Sequence, residues 1–77
     1  MDKIKEQLAI LIKEILGTDE EIDKDMGFFD MGVSSLTVVT LVERINELFS
    51  VNFNETDIFS YPNINELSEH IQAKLDE

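Results

Sequence analysis

Apolar residues recur at helical spacing in three runs of this 77-residue chain, and that periodicity constrains the fold more than any other feature. Ile4, Leu8, Leu11, Ile12 and Ile15 form the first run, which stops at Gly17, a residue suited to the left-handed position that follows a helix. The second run predicts a helix over 36–49. Stepping about 100° per residue places Val38, Leu41, Val42, Ile45, Leu48 and Phe49 within roughly 120° of one another, which makes that face core. Ile64, Leu67, Ile71 and Leu75 form the third stripe, with Asn63 as its cap and Glu66 at the third helical position, as in a capping box. Residues 56–60 allow one short turn before Tyr61-Pro62 breaks it. Residues 18–31 are acidic and aperiodic and contain Gly27, so they read as a long ordered loop pinned by Phe28 and Phe29, both expected to reach the core. The predicted fold is all-α, a small four-helix bundle of three longer helices plus one short helix, with residues 1–77 as a single domain.

Chains this short bury only about 60% of their unfolded surface, so a deep substrate cleft is not expected. With no cysteine there is neither a disulfide framework nor a thiolate metal site, and helix packing must hold the fold. The charged start Asp2-Lys3-Ile4-Lys5-Glu6 and an apolar stretch no longer than residues 8–12 predict no signal peptide and no membrane span, hence a cytoplasmic chain. Seventeen acidic against six basic residues give a net charge of −11, which argues against nucleic acid or anionic lipid and for basic partners. Residues 1–24 carry net −3 and residues 25–77 net −8, although acidity that merely maintains solubility is the plainer explanation.

Ser35 ends the segment Gly32-Val33-Ser34-Ser35, immediately before the second run, so its hydroxyl falls on the first turn of a predicted helix. A helix start carries unpaired N–H groups and partial positive charge, where a phosphate ester is electrostatically favoured. Leu36 falls opposite the centre of the core face, near Thr40, Glu43 and Glu47, with Val39 about 60° to one side. An apolar residue ringed by carboxylates and left facing outward suits docking, although single exposed leucines are ordinary. Glu43 and Glu47 serve solvation in the plain reading and cationic partners in the functional one.

Other chemistry finds little support. His70, the only histidine, has no cysteine or second histidine with which to build a metal site or a triad. The acidic loop residues Asp19, Glu20, Glu21, Asp23 and Asp25 lack a glycine at the sixth position of an EF-hand register starting at Asp19 or Asp23. No metal is expected, and no enzyme activity.

Phe28-Phe29-Asp30-Met31-Gly32-Val33-Ser34-Ser35-Leu36 and Ile58-Phe59-Ser60-Tyr61-Pro62-Asn63-Ile64-Asn65-Glu66-Leu67 resemble two landmarks of the acyl carrier proteins and of the carrier domains of polyketide and related synthases. The resemblance covers nearly the whole chain, the first helix by pattern only. It implies the acyl carrier type of bundle, with 4′-phosphopantetheine attached to Ser35 by a phosphopantetheinyl transferase using coenzyme A. The arm's thiol would carry intermediates as thioesters to an acyltransferase, a ketosynthase and other synthase enzymes. Leu36, Val39, Glu43 and Glu47 would form the docking face, with Gly32 and Ser34 in support. Ser34 stands where most members have Asp; it keeps the capping role, loses the charge, and is a rival attachment site. Ser35 is preferred because leucine follows it directly. Val33, where peptide synthetase carriers usually have a second glycine, places the polyketide subtype first, peptide synthetase second and fatty-acid carriers third. The absence of tryptophan disfavours a β-branching carrier. Of a different class is an unmodified acidic helical interaction module, in which Ser34-Ser35 is only a helix cap. With its apolar faces used up in one bundle, the chain is expected to be a monomer.

Overall fold

The computed structural model describes residues 2–77. Four helices follow one another, α1 (Asp2–Leu16), α2 (Ser35–Phe49), α3 (Glu55–Ser60) and α4 (Ile64–Leu75), with no strand among the described residues. The all-α bundle expected from the periodicity is therefore present.

Local chemistry explains where each helix begins and ends. At the end of α1, Gly17 takes φ +66°, its N–H donates to the Glu14 carbonyl at 3.3 Å, and the Thr18 N–H donates to the Lys13 carbonyl at 3.1 Å. These paired bonds satisfy carbonyls that the helix leaves open, in the manner of a Schellman motif. At the end of α2, Ser50 adopts the left-handed conformation, φ 56° and ψ 43°, without being glycine. The chain after it is held by Asn46, whose side-chain NH2 donates to the Phe53 carbonyl at 3.0 Å while the Phe53 N–H donates to Asn46 Oδ1 at 2.8 Å. A reciprocal capping box opens α3: the Thr56 N–H donates to Asn54 Oδ1 and the Asn54 N–H to Asp57 Oδ2, both at 2.9 Å. Asn63 caps α4 by accepting from the Glu66 N–H at 2.8 Å. Glu66 does not complete a box there; its carboxylate takes the Asn63 side-chain amide at 3.0 Å instead of the Asn63 backbone N–H.

Leu8, Ile12, Phe28, Leu41, Ile45, Ile58, Ile64, Leu67 and Ile71 are completely buried and form the centre of the core. Within it α1 packs on both α2 and α4, and α3 packs on α2. The loop between α1 and α2 is ordered, as its expected anchors require. Phe28 lies inside, its N–H donating to the Pro62 carbonyl at 2.7 Å, and the Asn65 N–H reaches the Lys24 carbonyl at 3.1 Å. Ile22 and Val33 add two further buried anchors.

Three apolar residues depart from the expectation. Phe29 is 42% exposed, because the tight turn at residues 27–31 sends only one of two adjacent phenylalanines inward, and it stacks on Phe59 instead. Leu48, at the margin of the apolar arc of α2, is 47% exposed and lines a surface recess of about 340 Å³ with Ile10 and Leu11. Leu75 is exposed in the last turn of α4, beyond Ile71, where the core ends. Among the described residues, no helix is long and apolar enough to cross a membrane.

Candidate functional site

Ser34 is the last extended residue before α2, at φ −95° and ψ 169°. Its Oγ accepts the Thr37 N–H at 3.2 Å and shares a hydrogen bond with the Thr37 hydroxyl at 2.9 Å, while its carbonyl accepts the Val38 N–H at 2.9 Å. The serine cap expected from the sequence is formed, and Thr37 is a partner that the spacing of apolar residues does not identify. The signal for it is the three-residue separation from cap to hydroxyl.

Ser35 is the first helical residue and is exposed. No acidic side chain occupies the first turn of α2, so the partial positive charge of its N-terminus is not offset by a neighbouring carboxylate there. An accessible hydroxyl at such a position fits attachment of a phosphodiester. Gly32 supports the approach to the helix at φ +109°, a conformation in which a side chain would be strained. The nearest atom to a Cβ added there would be Leu16 Cδ2 at 3.8 Å, ordinary contact, so glycine is required by backbone conformation and not by crowding.

The α2 face beside Ser35 gathers the expected docking residues. Leu36 is 85% exposed and Val39 44%, and Glu43 and Glu47 are exposed as well. At about 100° per residue the four fall within roughly 80° of each other, giving two apolar side chains near the serine and two carboxylates further along. Among the described residues no ion pair engages either glutamate.

His70 takes a structural place. Its Nε2 lies 2.9 Å from Asp57 Oδ1, and its ring stacks between Phe53, at 4.7 Å and 22°, and Tyr61, at 4.1 Å and 15°. This joins α3 to α4. Burial pushes the Asp57 carboxyl up, but the Asn54 N–H, the His70 hydrogen bond and the nearby His70 and Lys74 charges together hold it below the ordinary aspartate value. In the acidic loop, Thr18 and Asp23 side chains accept the N–H groups of Glu20 and Asp25, at 3.1 and 2.9 Å, and Asp25 also accepts from the Asn65 amide. No metal-binding cluster of acidic or histidine side chains occurs among the described residues.

A small all-α bundle with an accessible, serine-capped serine at the head of its second helix defines a carrier type of domain. The phosphopantetheine attachment site model matches residues 6–71, and the chain belongs to that family. Its members are non-catalytic carriers with covalently attached 4′-phosphopantetheine, and they work with synthase enzymes. The chain is 38% identical over 66 residues to mycoketide-CoA synthase of Mycobacterium tuberculosis, a match spanning 83% of this chain and 2% of that protein. It is 37% identical over 70 residues to a mycosubtilin synthase polypeptide of Bacillus subtilis, spanning 91% of this chain and 3% of that one. Among solved structures it superposes on the HMG-ACPI domain of the CurA module from Lyngbya majuscula with a TM-score of 0.87 and 36% identity, covering 94% of this chain and 74% of that one.

Proposed function

We propose that this carrier holds its arm on Ser35 and serves polyketide assembly in the cytoplasm, as a single monomeric domain over residues 1–77. The observation that carries the attachment site is the exposed Ser35 hydroxyl at the start of α2, next to the Ser34 cap and free of first-turn acids. When bound, the arm supplies a terminal thiol on which acyl groups travel as thioesters. The chain itself supplies position. The α2 N-terminus favours the phosphodiester charge, and the Ser34–Thr37 hydroxyl pair keeps that terminus capped. Leu36 and Val39 offer apolar surface to an incoming phosphopantetheinyl transferase, acyltransferase or ketosynthase, while Glu43 and Glu47 steer their cationic surfaces.

Val33 and the mycoketide-CoA synthase likeness support the polyketide subtype. A peptide synthetase role is the second reading, favoured by the nearly equal likeness to mycosubtilin synthase. The attachment site is tested by incubating wild type, Ser35→Ala and Ser34→Ala with fluorescent coenzyme A and a promiscuous transferase. Ser34→Ala is expected to take the label and Ser35→Ala to refuse it with helix content unchanged. Labelling of Ser35→Ala at the wild-type level would refute the site.

A further inference from the structure

The two hydroxyls that cap α2 hold one more hydrogen-bond donor than the cap consumes. Ser34 Oγ accepts the Thr37 N–H at 3.2 Å, and the Ser34 and Thr37 hydroxyl oxygens lie 2.9 Å apart, a separation bridged by a single proton. Each hydroxyl brings one proton of its own. Where Thr37 donates to Ser34, the Ser34 proton is left over; where Ser34 donates to Thr37, the Thr37 proton is left over. Among the described residues neither hydroxyl donates to any other protein acceptor. Ser34 is exposed and Thr37 half-buried, so the spare proton is open to a group outside the cap.

In the loaded chain an acceptor stands one residue away. Ser34 and Ser35 are consecutive, with Cα atoms about 3.8 Å apart, and a phosphodiester on Ser35 Oγ is ionised and has no proton to give. Ser35, Leu36, Thr37 and Val38 make up the first turn of α2, which contains neither an acid nor a Lys or Arg, so the Ser34–Thr37 pair is the side-chain donor at hand. A hydroxyl proton given to an ionised oxygen makes a bond roughly twice as strong as one between neutral groups. An aspartate at position 34 reverses the arrangement: its acceptor-only carboxylate takes both the N–H and the hydroxyl proton of Thr37, leaves no donor over, and sets a negative charge beside the phosphodiester. We infer that the Ser34–Thr37 pair donates its spare proton to the phosphodiester on Ser35 and so fixes the root of the arm. The inference rests on Ser35 as the attachment point. Ser34 and Thr37 are then positioning residues, which touch the first group of the arm and not the thiol that carries acyl groups, and partner enzymes meet that root and the exposed Leu36 in one arrangement.

The test uses the whole chain loaded from coenzyme A. Intact mass and peptide mapping first establish loading at Ser35; failure at that step overturns the attachment reading and this one with it. A crystal structure of the loaded chain is expected to place a phosphate oxygen about 2.5–3.0 Å from Ser34 Oγ or Thr37 Oγ1. In solution, the phosphorus resonance of the loaded chain is expected to be displaced from its position in the same chain unfolded in urea. Two variants remove the donor in different ways: Ser34→Asp keeps a cap and adds charge, and Ser34→Ala combined with Thr37→Val removes both hydroxyls and adds none. Both are expected to lose most of the displacement while keeping the amide dispersion of the folded chain, and Ser34→Thr is expected to retain it. In Ser34→Asp the loss is expected to persist in about 1 M salt, where charge repulsion is screened beyond about 3 Å. Correct loading followed by a phosphate turned to solvent, or by the full displacement in the folded double variant, overturns the inference alone. So does recovery of the displacement by Ser34→Asp at high salt, which assigns the effect to charge and not to a donated proton.

Discussion

Ser34 fills by hydroxyl a role that an acid can fill with charge added, and the consequence is measurable one residue at a time. Its Oγ satisfies one N–H of α2, so Ser34→Ala is expected to cost about 0.5–2 kcal/mol in urea unfolding without preventing modification of Ser35. Ser50 presents the opposite case, a side chain forced into the left-handed region where glycine is at ease; Ser50→Gly is expected to stabilise the chain by about 1 kcal/mol. Asp57 brings in pH. Because its carboxyl is held below its unfolded value, its contribution is fully present above that value, near 3.9, and is lost as pH falls through the lower folded one. The stability difference between wild type and Asp57→Asn should therefore be larger at pH 7 than near pH 2, and a difference constant across that range would disprove the linkage. The Ser34 cap was legible in the sequence because a serine hydroxyl just before a helix start can accept one of its open N–H groups. The Asp57–His70 pair was not, since thirteen residues and a helix boundary separate them.

At the scale of elements, α2 shows how far periodicity carries. Its stripe correctly identifies Val38, Leu41, Val42, Ile45 and Phe49 as buried, and places Leu36 outside. It fails at Leu48, because a 3.6-residue repeat gives the direction of a side chain but not how far the neighbouring helix extends to cover it. Substitution separates the two cases: Ile45→Ala is expected to cost about 2–5 kcal/mol and Leu48→Ala less than half as much, read from denaturation midpoints at constant slope. Equal costs would put Leu48 back in the core. The loop before α2 was legible as ordered through Phe28, yet the outward turn of Phe29 depends on the hydrogen bonds of residues 27–31, which no spacing reveals. The short α3 was expected over 56–60 and occupies Glu55–Ser60; its Asn54–Asp57 box lies in the sequence in the same form as the one proposed at Asn63.

For the whole molecule the governing quantity is charge confined to a small volume. A net charge of −11 is held within extents of 33 × 25 × 19 Å. Raising salt from about 0.01 M to about 1 M shortens the screening length from about 30 Å, comparable with the longest dimension, to about 3 Å. Self-repulsion should therefore fall and the melting temperature rise with sodium chloride, by about 4–8 °C for each kcal/mol relieved; an unchanged or falling value would contradict that. Composition made this charge legible, and the three apolar runs made the bundle legible. The path of the loop after α1 was not, because it depends on tertiary contacts at Phe28, Pro62 and Asn65. We propose that this surface presents one serine, Ser35, for modification. Tandem mass spectrometry of the wild-type chain, after incubation with coenzyme A, magnesium and a phosphopantetheinyl transferase, tests it most directly. One phosphopantetheinyl group on Ser35 is the expected result; a folded chain with no mass gain, or with the group on Ser34, would contradict it.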